Sequence, residues 1–328
     1  MEHFVKDNPV GGVTVRRYRD QDAETWDRLV AASRNGTFLH SRQFLSYHSE
    51  RFQDMSLLIE DERGSIAGVF PAALDPVRED TVVSHPGLSY GGVVHKGALR
   101  GASMLEALQV ISRVYKEIGL RRMRYKVVPY IYHVVPSADD LYALFRLGAV
   151  RYRCDLSATI DLDSRGKMSK GRFHDLSKGR KVGVSVAHGP QYLKPYWGVL
   201  EENLRTRHNA RPVHTLEEIT LLQSRFSEQI RCIVGILDDQ VVAGVVLFHA
   251  PKVAHVQYSA STAAGNSVGA LTMVMDYAVR TSADLGARYF DFGTSNEHEG
   301  QILNEGLFRF KTSFGAGGVV LEFYEVKL

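Results

Sequence analysis

Several stretches of this 328-residue chain carry residue types that could do chemistry. Ala263-Ala264-Gly265-Asn266-Ser267-Val268-Gly269-Ala270-Leu271 is a run of small residues opening a helix-spaced apolar segment. Small side chains leave room for a ligand, and the free N–H groups of a helix N-terminus face an anion. Gly265, Asn266, Ser267 and Gly269 are thus candidate anion contacts. The plain alternative is a helix start capped by Asn266 or Ser267. In Phe308-Arg309-Phe310-Lys311, a lysine ammonium beside a developing oxyanion or a phosphate would lower a barrier electrostatically. The alternation of Phe308, Phe310 and Phe314 also fits a half-buried strand with its lysine in solvent. Arg205, Arg207, His208 and Arg211 close a predicted helix. Arginine's fork suits phosphate or carboxylate, although a helix C-terminus favours cations in any case.

Further groups could move protons. His208 and His214 titrate in the range a general base needs. Tyr258, between Gln257 and Ser259 in a predicted strand, could hold an acceptor or protonate a leaving group. Asp291, Glu297, Glu299 and Glu305 are carboxylates able to take a proton. From Arg165 to Lys181 the chain holds Arg165, Lys167, Lys170, Arg172, Lys178, Arg180 and Lys181, against one acid, Asp175. Such a run suits a solvated helix face, or salt-dependent contact with a nucleic-acid backbone. No HxxH, HExxH or Cys-x-x-Cys spacing occurs, so no metal is implied. No Ser-His-Asp or Cys-His arrangement is evident, so no covalent enzyme intermediate is implied.

Composition bounds the class. Hydrophobic residues are 44% and charged residues 23%, which excludes a disordered or collagen-like chain. Lys+Arg number 40 against Asp+Glu 37, a net charge of +3, so a nucleic-acid partner would need a local basic patch. Two cysteines, Cys154 and Cys232, are too few for a disulfide framework. No run approaches the ~20 apolar residues of a membrane span, and Met1 to Lys6 lacks a signal-peptide core. A soluble, cytoplasmic protein is expected.

An internal repeat organises these residues. Residues 55–74 and 230–250 each read as an apolar run, a polar turn and a second apolar run, the pattern of a β-hairpin. Both second strands carry Ala-Gly-Val, at Ala67-Gly68-Val69 and Ala243-Gly244-Val245. A third strand follows each hairpin (Thr81 to Val94; Ala254 to Ser261). Next comes a helix with apolar spacing near 3.6 that stops at Gly119 or Gly286, then a strand, Met123 to Val128 or Tyr289 to Phe292. Helices open each half: Asp22 to Ser33 and Arg42 to Ser49, then Lys170 to Lys181, Gln191 to Thr206 and Leu216 to Glu228. Leu156 to Leu162 reads as a strand closing the first half. The small, polar, basic Ser164 to Gly171 suits a linker, dividing the chain into 1–163 and 164–328.

This order of elements resembles the GNAT acyltransferase fold, and two units in one chain resemble the FemABX group of tandem-GNAT aminoacyltransferases. Tyr289-Phe290-Asp291-Phe292-Gly293-Thr294-Ser295 followed by Asn304-Glu305-Gly306-Leu307-Phe308-Arg309-Phe310-Lys311-Thr312-Ser313-Phe314-Gly315 is similar to that family's FDFG…GLxxFKxxFG pattern. Asn203 to Thr215 is similar to it as well. The resemblance implies an α/β fold with mixed sheets in two tandem GNAT-like domains. It puts donor phosphates at the Gly265–Gly269 turn, Phe310 and Lys311 at the acyl-transfer centre, Tyr258 in the acyl slot, and Arg207 near the acceptor with His208 and Arg211. His48, in a helix begun at Phe38 to Phe44, and Tyr90 would border an acceptor groove. The first-half turn at His95 to Ala98 is less glycine-rich, and that half is expected to have lost donor binding.

The implied activity is N-acyltransfer that forms an amide. The leading donor is aminoacyl-tRNA, with the basic stretch touching the tRNA acceptor arm. An acyl-CoA or acetyl-CoA donor is the alternative, although Asn266, Gly269 and Leu271 depart from the Arg/Gln-x-x-Gly-x-Gly/Ala of acetyl-CoA enzymes. A non-catalytic tandem-GNAT binding protein is the second alternative. Acceptors of the implied class are a cell-wall precursor, an amino sugar or a peptide. No permanently bound cofactor is expected, and no coiled-coil arm is evident.

Overall fold

The computed structural model describes residues 12–328, without the side chains of Ser49 and His208. The chain divides into two compact units: residues up to Cys154 together with Leu321–Leu328, and Asp155–Val320.

In the first unit, β1 (Val13–Arg17), α1 (Ala23–Ala31) and α2 (Arg42–Leu45) precede the hairpin of β2 (Leu57–Asp61) and β3 (Ile66–Phe70). Then come β4 (Ala73–Leu74), β5 (Thr81–Val83), β6 (Val94–His95), α3 (Ala102–Glu117), β7 (Arg122–Lys126) and α4 (Asp139–Arg146). β1, β2, β3 and β6 form an antiparallel sheet. β5 pairs parallel with β7. Helix α3 buries Met104, Ala107, Leu108, Ile111 and Tyr115 against Leu57, Phe70, Met123 and Tyr125. These are the apolar positions its spacing sets on one face. It ends at Gly119, whose φ of +91° is the left-handed stop a glycine adopts most readily.

The second unit repeats the plan more fully. β8 (Val150–Asp161) enters it at Asp155. Helix α5 (Lys170–Lys181), β9 (Ser185–His188), α6 (Leu193–His208) and α7 (Leu216–Arg225) follow. The hairpin of β10 (Ile230–Leu237) and β11 (Gln240–His249) turns at Asp238 and Asp239, both at positive φ, as a two-residue hairpin turn requires. β12 (Val253–Ser261), α8 (Ala263–Val268), α9 (Ala270–Asp284) and β13 (Tyr289–Thr294) complete the core motif. Short β14 (Asn296–Glu297) and β15 (Ile302–Leu303), α10 (Glu305–Thr312) and β16 (Gly317–Lys327) close the chain. The sheet order is β8-β13-β12-β11-β10-β9, antiparallel except for β12 beside β13.

The two faces of this sheet are covered by different helices. Val245 and Leu247 join Phe290, Phe292 and the α9 residues Ala270, Val274, Met275 and Ala278 in one core. Gly244 alternates to the other face, where the Tyr196 ring of α6 lies so close that a Cβ would sit 2.4 Å from it. The glycine of this Ala-Gly-Val is thus a packing device.

Three sequence expectations are corrected here. The units part at Asp155, inside a strand, and not at Ser164, and the last residues return to the first unit. Ser164–Gly171 is no linker, because it packs within the second unit: Ser169 N–H donates to Ser313 O at 2.8 Å, and Gly166 meets the backbone of Gly315. Phe308 to Thr312 is helical, not a strand. Phe310 and Phe314, four residues apart, stack edge to face at 5.5 Å.

Tyr196 is fully buried, so it has nowhere to retreat. Gly244→Ala should therefore cost about 1–3 kcal/mol by overpacking, read as a lower denaturant midpoint with an unchanged m value.

Candidate active site

β12 and β13 are parallel neighbours over only Val253–His255 and Tyr289–Asp291, the last pair being His255 opposite Asp291. Beyond that pair the strands stop pairing, although β12 runs to Ser261 and β13 to Thr294. Gly293, at a φ of +78°, bends β13 at this point. A cluster of polar groups sits where pairing ends.

Asp291 is 2% exposed. Its Oδ1 accepts hydrogen bonds from Ser157 Oγ, from Thr159 Oγ1 at 3.0 Å and from Gly293 N–H at 3.1 Å. Its Oδ2 lies 2.8 Å from His255 Nδ1. Burial alone would raise the carboxyl's pKa. The hydrogen bond and charge of His255, with the Ser157 and Gly293 donors, outweigh that and hold it at about 2.

Lys311 projects from α10 and is 8% exposed. Its ammonium donates to Gly293 O at 2.9 Å and Thr294 O at 2.6 Å, which fastens the end of β13. An ammonium has three donors, so one remains for another acceptor. Burial pushes its pKa down to about 8, against the pull of the Asp291 charge. Phe310 lies on another side of α10, half-buried, with the Arg172 guanidinium 5.0 Å from its ring centroid.

Tyr258 contacts His214, not Lys311. Its phenol is 2.6 Å from His214 Nδ1 and accepts from His214 N–H at 3.2 Å. Its ring meets Trp197 edge to face at 5.2 Å. Burial raises its pKa. Tyr258 and His214, two separate sequence candidates, thus form one pair. Arg207 and Arg211 are exposed, and neither forms an ion pair among the described residues, whereas Arg205 is paired with Glu202 at 2.8 Å. His208 belongs to α6, but its side chain lies outside the described residues.

The small-residue turn folds differently from either reading of it. Neither Asn266 nor Ser267 caps a helix. Thr262 does, its Oγ1 accepting from Gly265 N–H at 3.0 Å. Ser267 Oγ turns back to Ala264 O. The segment forms α8, and Gly269, at a φ of +76°, joins it to α9. The glycines face protein. A Cβ on Gly265 would meet Val242 O at 2.3 Å, and one on Gly269 would meet Asp175 O at 2.7 Å. Asp175 belongs to α5. Its carboxylate accepts from Thr272 Oγ1 at 3.2 Å and pairs with Arg172 at 3.0 Å, while Arg172 also donates to Thr272. The turn before α9 is thus packed against the backbone and acid of α5.

The remaining cations of this segment, Lys167 ahead of the helix and Lys170, Lys178, Arg180 and Lys181 on it, are exposed. A groove of about 600 Å³ runs beside them, lined among others by Arg165, Phe173, Arg180, Asp276 and Arg280. Phe173 is 59% exposed. A larger apolar cavity of about 800 Å³, beside Cys232, His249 and Tyr277, holds none of the sequence-predicted residues.

In the first unit, His48 lines a pocket of about 530 Å³ with Arg42, Phe52 and His85. Tyr90 is elsewhere, 3.2 Å from Thr37 Oγ1 and against Tyr132. The turn at Gly97 is filled by the Arg34 guanidinium, which donates to Lys96 O.

Residues 164–311 match the family described as the acetyltransferase (GNAT) domain. The second unit carries a GNAT acyltransferase domain. The whole chain resembles the crystal structure of FemX, with a TM-score of 0.66 at 13% identity, covering 96% of this chain and 97% of that one. It also resembles the C-terminal domain of a putative lysylphosphatidylglycerol synthetase from Agrobacterium fabrum (TM-score 0.63, 13% identity, 93% and 92% covered). A tandem GNAT protein from the clavulanic acid biosynthesis pathway aligns with a TM-score of 0.52 at 11% identity, covering 96% and 98%. No curated protein matches by sequence. The fold is therefore FemABX-like over nearly the whole chain, and the GNAT domain makes the protein an acyltransferase. Among the described residues, no helix is long and apolar enough to cross a membrane.

Sequence reasoning named Asp291 and Lys311 but missed His255, Ser157 and Thr159. The signal for His255 is its parallel pairing with Asp291, which spacing along the chain does not reveal.

The lysine makes a pH prediction. Folding lowers the Lys311 pKa below its unfolded value, so the unfolded chain binds more protons between about pH 8 and the ordinary lysine range. The wild-type protein should gain stability relative to Lys311→Met as pH rises through that window. Paired denaturant titrations at pH 7, 8.5 and 10 check it, and a flat difference would refute the shift.

Proposed function

We propose that the protein transfers an aminoacyl group from aminoacyl-tRNA to an amine acceptor and forms an amide. The observation that carries this reading is the packing of α5 on the turn before α9. In GNAT folds, the phosphates of an acyl-CoA meet that turn. Here the Asp175 carbonyl and carboxylate stand against Gly269 and Thr272. Arg172 offsets the charge of that carboxylate, but the Asp175 backbone and side chain fill the place beside this helix start where free N–H groups would receive a pyrophosphate.

The outer face of the same helix supports the tRNA donor. Lys170, Lys178, Arg180 and Lys181 are exposed cations beside the groove of Arg165 and Arg280. Exposed Phe173 offers a base a ring to stack on. The electrostatic surface is local, in keeping with a net charge of only +3. Lys311, with one donor to spare, would stabilise the oxyanion formed as the amine attacks the ester carbonyl. Arg207 and Arg211 are free to meet an anionic acceptor, and a cell-wall precursor, an amino sugar or a peptide all supply the amine. The fold of FemX and of the lysylphosphatidylglycerol synthetase domain is consistent with this chemistry.

Direct titration tests the donor. Charged tRNA should bind with an affinity that falls steeply between 50 and 200 mM salt, and Lys178→Glu/Arg180→Glu/Lys181→Glu should weaken it at least tenfold. Acetyl-CoA and CoA should give no heat. Micromolar CoA binding with no tRNA binding would overturn the reading and assign an acyl-CoA donor.

A further inference from the structure

We propose that His255 is the general base of the transfer and that Asp291 positions it. This assignment rests on the amine-acylation reading given above, but not on which donor supplies the acyl group. Asp291 is poorly suited to take the proton itself. It is buried, all but enclosed by donors, and held at about 2, so it stays ionised and weakly basic. What such a carboxylate does well is fix an imidazole. Its Oδ2 accepts the Nδ1–H of His255 at 2.8 Å. In the neutral ring that leaves the lone pair on Nε2.

Three observations make this more than a satisfied core histidine. His255 is partly open, its side chain 22% exposed, whereas its partner is buried. Nε2 makes no hydrogen bond among the described residues and is not buried, so it opens to solvent. The ring also lies where β12 and β13 stop pairing, with its Cε1 edge over the bare Cα side of Gly293. Lys311 anchors the carbonyls of that same glycine and Thr294. A base and an ammonium thus flank one short piece of backbone at the mouth of the strand opening.

The acceptor's neutral amine attacks the donor carbonyl carbon and forms the C–N bond. Nε2 of His255 takes the proton that the amine nitrogen releases. The tetrahedral intermediate collapses, the C–O bond to the tRNA ribose breaks, and the departing oxygen receives the proton from the imidazolium. With a thioester donor the C–S bond breaks and sulfur receives that proton.

The test uses the full chain with a charged-tRNA pool and, in parallel, acetyl-CoA, against glucosamine and a lysine-containing pentapeptide as amine probes. His255→Asn keeps a donor for Asp291 and removes Nε2, so the fold should survive while kcat/KM falls about 10²–10⁴-fold. His255→Gly should fall as far and regain activity with added imidazole. Asp291→Asn should lower activity less and alter its pH profile, because the ring loses its fixed tautomer. Wild-type rates from His255→Asn, or a fall that imidazole does not relieve in His255→Gly, would overturn the assignment. Turnover with acetyl-CoA alone that depends on His255 would sink the tRNA donor and leave the base standing. No turnover with either donor would sink both.

Discussion

A carboxylate inside a protein must either take a proton or be surrounded by donors. Asp291 is surrounded, and much of the second unit follows from how. Ser157 and Thr159 come from β8, Gly293 from the bend of β13 itself and His255 from β12. One side chain therefore ties three strands at one level. The β8–β13 register shifts directly after this level, between Asp291 and Thr294, and the β12–β13 pairing ends at it. The sheet opens at the level of this polar cluster. The ammonium of Lys311 becomes tolerable in the same place, because its two carbonyl partners and the nearby negative charge offset part of its desolvation.

The small-residue turn shows how one composition serves two purposes. Glycine admits any close neighbour, whether a ligand's phosphate or another backbone. Gly265 admits β11, and Gly269 admits α5. Helix α5 is then divided between its faces. Arg172 turns inward to Asp175, Thr272 and the Phe310 ring, so an apparent surface cation helps hold α10 and α9 together. The cations left outside sit on a helix whose position is fixed by that inward contact.

Local patterns were legible in the sequence and distant ones were not. Both hairpins, the long amphipathic helices and the stops at Gly119 and Gly286 follow from spacing and from a residue able to adopt positive φ. α5 spans the residues expected of it. The unit boundary escaped because it lies inside one continuous strand, between Cys154 and Asp155, where no turn or linker residue marks it. α10 escaped because phenylalanines at 308, 310 and 314 satisfy an alternating pattern and a helical one together. The cap at Thr262 lay just outside the stretch that drew attention. Of the site, the acid and the lysine stood out within motif-like segments. The histidine did not, because 36 residues separate it from Asp291 and only the parallel register joins them.

The first unit holds the same kinds of group in a different arrangement. Its Asp140 is as deeply buried as Asp291, yet its pKa is pushed up to about 6, because burial is answered only by the Tyr125 phenol at 2.9 Å and local backbone donors. That unit also has a buried lysine, Lys126, held by the carbonyls of His85, Pro86 and Leu88 and pushed down by burial to about 7. The same ingredients are present, a buried acid and a carbonyl-bound ammonium, and they do not make the same arrangement. What distinguishes the second unit is an imidazole on the carboxylate and hydroxyls from the neighbouring strand behind it. Burial alone thus drives an acid toward neutrality, and the donors around it decide whether it remains a charge that can orient another group.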